Sequence, residues 1–447
     1  MRLGIDLGRA TCVAVLVDGS GRVVADAVVD SAPGTAESLR RVLAELGPFP
    51  APVGLAAVVT DLARRPHRPR RVGVLRIAPA SHPALSPLAD WPDRARAAVG
   101  TLSAVVRGAS SVTGRPLASL DRAAVADFAD RARSAGVSAF AVCAAGAPAR
   151  PGPELDAATV IAETVPGAAI SLSHEIGSAG LRERENATVL NAALGGWAAD
   201  LAAEAAHALR AAGSAAPVFF ARDDGGLVSA EYFRRHPVIA TAPSTACAAR
   251  GAAARSGADR AVVVDAGAQS VRCLAVDRGE PERSPRPRCG PLGVRVQLGS
   301  PEIREVRSGP HGGPSAAPAD VARLITQELD RVPDAELVYT GGDAESIGAP
   351  ADPVLRAARL TDAARFAATA DCSIEFEQLV AAAGRSELEQ LLAAARDHAL
   401  SRAVAAGSAP ATVRIESMAH APVAYLPAGV HRVTVRATGE PLTGARA

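Results

Sequence analysis

Two short stretches of this chain have the residue types and spacing to hold a phosphorylated ligand. "IDLGRAT" sets Asp6, Gly8 and Thr11 in the pattern D-x-G-x-x-[ST], and "VDAGAQS" repeats it 259 residues later with Asp265, Gly267 and Ser270. In each, an apolar run ends on the Asp and a second apolar run ends on another Asp, Asp18 or Asp277, twelve residues on. Glycine at a strand end lets backbone N–H groups approach phosphate oxygens that a side chain would shield. Thr11 and Ser270 add hydroxyl donors. Asp6 and Asp265 suit Mg²⁺, which keeps much of its water shell and takes one or two carboxylates. A single motif of this kind arises often by chance, and two Asp-Gly hairpin turns are the plain alternative; the matching contexts favour a repeat. A third stretch, "LVYTGGDAES" (337–346), reads as strand, paired glycines and helix start. Gly341 and Gly342 would let an adenosine lie against backbone, the alternative being a turn capped by Asp343.

The densest polar stretch is "ISLSHEIGSAGLRERENATVLNAAL" (170–194). It contains the two asparagines of the chain, Asn186 and Asn191. His174 and Glu175 follow an apolar strand, with Arg182 and Arg184 nearby, and a helix is expected to begin near Glu185–Asn186. Asn186 then reads equally as an N-cap or a functional residue. Asn191 lies inside the helix, where Asn is a poor choice on propensity alone. His174, Glu175, Arg184 and Asn191 are therefore candidates for substrate contact, with His174 in a catalytic role.

These residues need a scaffold, and the chain is long enough for one. Its 447 residues can build two or three cores, and an apolar fraction of 48% with only 3% aromatics implies close packing of Ala, Val and Leu. All 48 basic residues are arginine, so chemistries that need a lysine, such as a P-loop or a Schiff base, are excluded. A net charge of +1 gives no reason to expect nucleic acid or an anionic membrane as partner. No apolar run is long enough for a membrane span, and the N-terminus reads as a strand rather than a signal peptide. The six scattered cysteines form no C-x-x-C pair and read as reduced thiols, which points to a cytoplasmic setting. His67, His82, His311 and His420 show no metal-ligand spacing, and "RRPHRPRR" (64–71) reads as a solvated loop.

The periodicities predict helices over 34–47, 120–136, 154–165, 187–213, 319–331 and 384–405. Strands are expected near 53–59, 137–143, 217–221 and 261–265, with a closing hairpin over 422–440. The D-x-G repeat implies two similarly built α/β lobes facing each other.

The 170–194 block, "ARDDGGLVSAEYFRRHPVIATAPSTACAARGAAA" and "AVVVDAGAQSVRC" together resemble the hydantoinase/oxoprolinase family, and "GIDLG", "LADWP" near residue 90 and the C-terminal tail extend the resemblance over nearly the whole chain. It implies an α/β two-lobed ATPase fold of the actin, sugar-kinase and heat-shock-chaperone type. The implied segments are an N-terminal-like domain over 1–168, a hydantoinase A-like core over 169–410 and a C-terminal β segment over 411–447. The implied activity is ATP-dependent opening of a cyclic amide or imide, such as a hydantoin or 5-oxoproline, or service as the ATPase subunit of such an enzyme. ATP and Mg²⁺ are the implied cofactors, with Asp6, Asp265 and His174 catalytic and both aspartates on the metal. Gly8, Thr11, Gly267, Ser270, Gly341 and Gly342 then fall to the nucleotide. A second hydantoinase-type subunit or a homo-oligomer is the partner class.

The departures are local. The family pattern D-x-G-G-T-x-T-D is altered at Arg9, Ala10, Cys12 and Val13, and again at Ala268, Gln269, Val271 and Arg272. Pro153 stands where the family often has a histidine. They define the alternative reading, a degenerate homologue or pseudoenzyme that binds or partners without turnover. A sugar or acyl kinase would share the D-x-G motifs but not the 170–194 block.

Overall fold

The computed structural model describes residues 1–61, 68–79, 85–177, 179–267, 270–284, 288–307, 318–424, 426 and 429–443. His67, His82, His311, Ala268, Gln269 and part of the 64–71 stretch lie outside the described residues.

The hairpin strands Arg2–Leu7 and Thr11–Val17 are apolar on both faces, so they belong inside a covered sheet. Val23–Asp30 alternates between exposed and more buried positions and lies at that sheet's edge. The sheet has nine strands, in the order 414–422, 430–439, 372–381, 227–229, 218–221, 55–59, 2–7, 11–17 and 23–30. Segments 1–168, 169–410 and 411–447 all contribute strands to it. A second sheet of five strands is built around the hairpin Arg260–Gly267 and Ser270–Asp277, with Glu336–Thr340 beside its first strand. A third sheet, Ser103–Val106, Val72–Ile77, Ala139–Ala144 and Ala169–Leu172, is entirely parallel. Helices Arg122–Ser134 and Gly152–Thr164 cover it, with Phe128 against Phe140 edge-to-face at 6.2 Å.

Two helices cross between the first and second sheets, Pro243–Ser256 (the cleft helix) and Pro353–Thr369. Gly251 permits the crossing, since a Cβ there would collide with the carbonyl of Asp362. Asp352 starts the second helix by accepting from the N–H groups of Val354 and Leu355 at 2.8 and 3.2 Å.

The expected helices and strands are present, with three differences in extent. The long helix runs Leu181–Ala211 and so begins before Glu185–Asn186. Its first polar turns look like a loop in sequence, but Arg184, Glu185 and Asn186 are each 1% exposed and paired. Asn186 is therefore an interior residue and not an N-cap. The closing hairpin pairs Arg414–Pro422 with Val430–Gly439, starting earlier than 422 because its first strand is a largely exposed edge without apolar alternation. Beyond Gly342 there is a single 3-10 turn, Ala344–Ile347, and the Asp343 side chain caps nothing. Cys12, Cys143, Cys247, Cys273 and Cys372 are buried and outside any disulfide, and no helix among the described residues is long and apolar enough to cross a membrane.

Candidate functional site

The two D-x-G motifs fold into the same object. In each, the Asp-bearing strand pairs antiparallel with the strand after the turn and parallel with a neighbour on its other side. Asp6 lies opposite Val13 and beside Val59; Asp265 lies opposite Arg272 and beside Thr340. A Cβ on Gly8 would sit 2.5 Å from the Thr11 carbonyl oxygen, so this turn requires glycine. At Gly267 the nearest atom to such a Cβ would be 3.8 Å away, and the residue is exposed. Thr11 is half-buried and Ser270 buried, and Arg9 is exposed beside the first turn.

The third motif joins the second hairpin. Gly341 follows Thr340 with φ of +88°, and a Cβ there would lie 2.9 Å from Asp265 Oδ1. Asp343 N–H donates to the Ala266 carbonyl at 3.1 Å, which docks the Gly341–Gly342 turn on the strand bearing Asp265.

The start of the cleft helix lies between the two hairpins and is held from both sides. Asp61, at the end of the strand parallel to Arg2–Leu7, accepts from Ser244 N–H at 3.0 Å and from its hydroxyl at 2.5 Å. From the other side Arg272 donates to Thr245 Oγ1 at 3.1 Å. Arg272 also stands 3.7 Å from Asp265 and gives two 2.9 Å hydrogen bonds to Glu305.

The other predicted residues gather where the parallel sheet meets the long helix. Glu154, 0% exposed on helix Gly152–Thr164, accepts from Ala144 N–H at 2.7 Å, His174 N–H at 3.1 Å and the Ser173 hydroxyl. Its other partner is His174 Nδ1 at 2.7 Å. A carboxylate there orients the ring, with Nδ1 toward Glu154 and Nε2 without a partner among the described residues. The His174 side chain is 20% exposed, enough to meet a ligand. Arg184 braces the turn, donating to Ser173 Oγ at 3.0 Å and to the Ala179 and Ala144 carbonyls at 2.9 Å each. Glu175 pairs with Arg235 at 2.7 Å, and its carbonyl accepts from Arg402 at 2.7 Å. Burial, then the charges of Arg402 and His174, push the nearby His398 below the usual histidine range. Arg182 is exposed and takes no part.

Both asparagines are structural clamps in this arrangement. Asn186 Oδ1 accepts from Trp91 Nε1 at 2.7 Å, and its amide donates to the Arg295 carbonyl at 2.9 Å, which pins the "LADWP" loop to the long helix. Asn191, 2% exposed, donates to Ser171 Oγ at 3.0 Å and the Arg235 carbonyl at 2.8 Å, and accepts from Val238 N–H at 3.3 Å. With those bonds made, Asn191 and the 1% exposed Arg184 hold the frame around His174. Sequence reasoning missed Glu154 and the buried Arg76–Glu185 pair, whose Nε bond to Oε1 is 2.8 Å. The available signal for Glu154 was a carboxylate in the first turn of the helix after "RPGP".

Residues 184–322 match the hydantoinase/oxoprolinase family model. Among solved structures it is similar to an ATP-dependent caprolactamase from Pseudomonas jessenii, at 15% identity and a TM-score of 0.69, covering 98% of this chain and 87% of that one. It is also similar to a nucleotide-free acetone carboxylase, at 12% identity and a TM-score of 0.64, with the same coverage of 98% and 87%. A comparison with curated protein sequences gives no significant match. The structural likeness establishes the fold, the two-lobed α/β arrangement expected from the duplicated hairpins.

The segment that matches the family model begins at Arg184 and includes the cleft helix and the second hairpin. Among the described residues no three His, Cys, Asp or Glu side chains cluster as a metal site. The motifs nevertheless fit a Mg²⁺-nucleotide, whose ion needs only one or two carboxylates: each sets a glycine two residues after a strand-end aspartate, and Gly267 is exposed.

Proposed function

We propose that this chain is an ATP-dependent hydrolase of cyclic amides or imides, of the hydantoin or 5-oxoproline type, or the ATPase subunit of such an enzyme. The observation that carries the reading is the pair of matching D-x-G hairpins flanking the start of one helix, in a chain whose residues 184–322 match the hydantoinase/oxoprolinase family model. The caprolactamase named above is described as ATP-dependent, and its name describes a cyclic amide as substrate, which agrees with it.

On this reading Gly8, Thr11, Gly267 and Ser270 hold phosphate oxygens, Gly341 and Gly342 border the adenosine, and Asp6 holds Mg²⁺ through water. Asp265 shares the metal role, with part of its charge already met by Arg272 at 3.7 Å. ATP, when bound, would supply a phosphoryl group to the carbonyl oxygen, making the amide carbon electrophilic enough for water; the ring C–N bond would then break with a proton going to its nitrogen, and phosphate would be released. The chain's own residues position and polarise. His174 Nε2, its ring oriented by Glu154, is the base that takes a proton from water, while Glu175 orients the substrate; Arg184 and Asn191 act on it through the frame they hold.

Calorimetry of Mg·ATP binding to the full chain, beside Asp6→Ala and Asp265→Ala, tests the nucleotide half. Binding to the native chain that weakens in both variants is the expected result. No heat and no thermal stabilisation at millimolar ATP would overturn it for the isolated chain. Turnover assays on hydantoins, lactams and 5-oxoproline, with His174→Gln as control, test the other half.

A further inference from the structure

His420 and His431 stand eleven residues apart, a separation without ligand pattern in the sequence, yet the closing hairpin brings them together. His420 pairs with Val433 across strands Arg414–Pro422 and Val430–Gly439, and His431 pairs with Pro422. That register makes the two histidines diagonal neighbours on one face, a relation that long side chains can bridge. Their Nδ1 atoms are 3.4 Å apart, with the ring centroids at 5.4 Å and the ring planes at 55°.

This separation is longer than the about 2.7–3.2 Å of a well-made N–H hydrogen bond. It matches a different arrangement. A tetrahedral ion bonded at about 2.0–2.1 Å to two imidazole nitrogens holds those nitrogens about 3.3–3.4 Å apart. Neither ring has another partner among the described residues, and His420 is exposed and His431 half-buried, so an ion can reach both from solvent. Other histidines are committed elsewhere. His174 faces Glu154, His398 stands edge-on to Phe376 at 5.0 Å, and burial, then Arg402 and Arg235, push His236 down to about 3.

The frame is firm on one side. Val430 and Val433 flank His431 at 4% and 0% exposed, and their strand pairs over ten residues with Cys372–Ala381. Arg432 lies on the opposite face, 3.9 Å from Glu377, so it does not repel a cation between the histidines. His420 is on the outermost strand, which pairs only with Val430–Gly439.

We infer that His420 and His431 form a two-histidine chelate for a borderline divalent transition-metal ion, Zn²⁺ or Cu²⁺, with water completing its shell. Imidazole selects this class over Mg²⁺, which takes oxygen ligands. Among the described residues no third His, Cys, Asp or Glu joins the pair. Four strands separate Val430–Gly439 from Arg2–Leu7, roughly 24 Å of sheet, so this ion is distinct from one that a nucleotide would bring to Asp6. The ion ties the edge strand to its neighbour through side chains as well as backbone.

The test is calorimetric titration of the full chain, metal-free and without nucleotide, with Zn²⁺, beside His420→Ala and His431→Ala. One saturable site in the micromolar range is expected, weakened at least about tenfold in each variant, since even removing a residue that only supports a metal ligand costs that much. His420 is exposed, so without metal its variant should melt like the native chain, and it carries the test if His431→Ala fails to fold. Electron paramagnetic resonance of the Cu²⁺-loaded chain reads the ligands directly: nitrogen coupling from two imidazoles in the native chain and from one in either variant. No saturable Zn²⁺ binding below a millimolar, unchanged affinity in a folded variant, or a Cu²⁺ spectrum indifferent to the substitutions would overturn the inference and leave only adventitious ion binding elsewhere on the surface. Because ATP is absent, the outcome does not depend on the nucleotide reading.

Discussion

The two D-x-G hairpins share strand order, register and neighbours, yet differ at the residue facing the aspartate. Val13 faces Asp6, whereas Arg272 faces Asp265 and reaches it at 3.7 Å. The backbone of the repeat is thus kept while its electrostatics are divided. In the first hairpin the cross-strand neighbour supplies no charge. In the second a resident guanidinium supplies a positive charge and ties the hairpin to Glu305 and Thr245. A duplicated motif therefore does not imply duplicated chemistry, and the difference can be measured.

The largest expected effect separates the two aspartates. Asp6→Ala should weaken Mg·ATP binding by about a hundredfold, the scale of losing a metal-holding carboxylate, and Asp265→Ala by about tenfold. Titrations of each variant with and without Mg²⁺ check this. Equal losses would mean that Arg272 does not substitute for a cation and that the hairpins act alike.

The turns should differ next. Gly8→Ala would put a Cβ 2.5 Å from the Thr11 carbonyl oxygen, whereas at Gly267 the nearest atom is 3.8 Å away. Gly8→Ala should therefore cost about 2 kcal/mol of stability and Gly267→Ala less than about 0.5 kcal/mol, as read by urea denaturation. If Gly267→Ala instead abolishes ATP binding without loss of stability, a phosphate lies beside Gly267.

This contrast also marks what the sequence makes legible. The hairpins could be read because their signal is local, an apolar run, Asp, Gly and a second apolar run within seventeen residues. The frame around His174 could not, because its bonds join distant residues. Arg76 meets Glu185 across 109 positions and Trp91 meets Asn186 across 95, and nothing near Asn186 announces either partner. The same buried pairing hid the start of the long helix: "LRERENA" is polar enough to read as loop until each charge is matched. Glu154 escaped for a related reason, since a single glutamate in a helix is ordinarily solvated and only the fold brings Ser173, His174 and Ala144 around it.

A further modest effect is the most direct way to sharpen the comparison. Arg272→Val gives the second hairpin the cross-strand residue of the first. The Arg272, Asp265 and Glu305 side chains are 14%, 16% and 20% exposed, so their pairing is partly screened. Its loss should cost about 1 kcal/mol, less than a fully buried pair would. The informative readout is the metal dependence. With Arg272 gone, Asp265 has the same kind of neighbour as Asp6, and ATP binding should depend more steeply on Mg²⁺ concentration than in the native chain. If the Mg²⁺ dependence does not change, Arg272 acts only as a tie between Asp265, Glu305 and the cleft helix, and the charge difference between the hairpins is structural. A steeper dependence would mean that one arginine takes over part of the work that a metal ion does in the other half of the repeat.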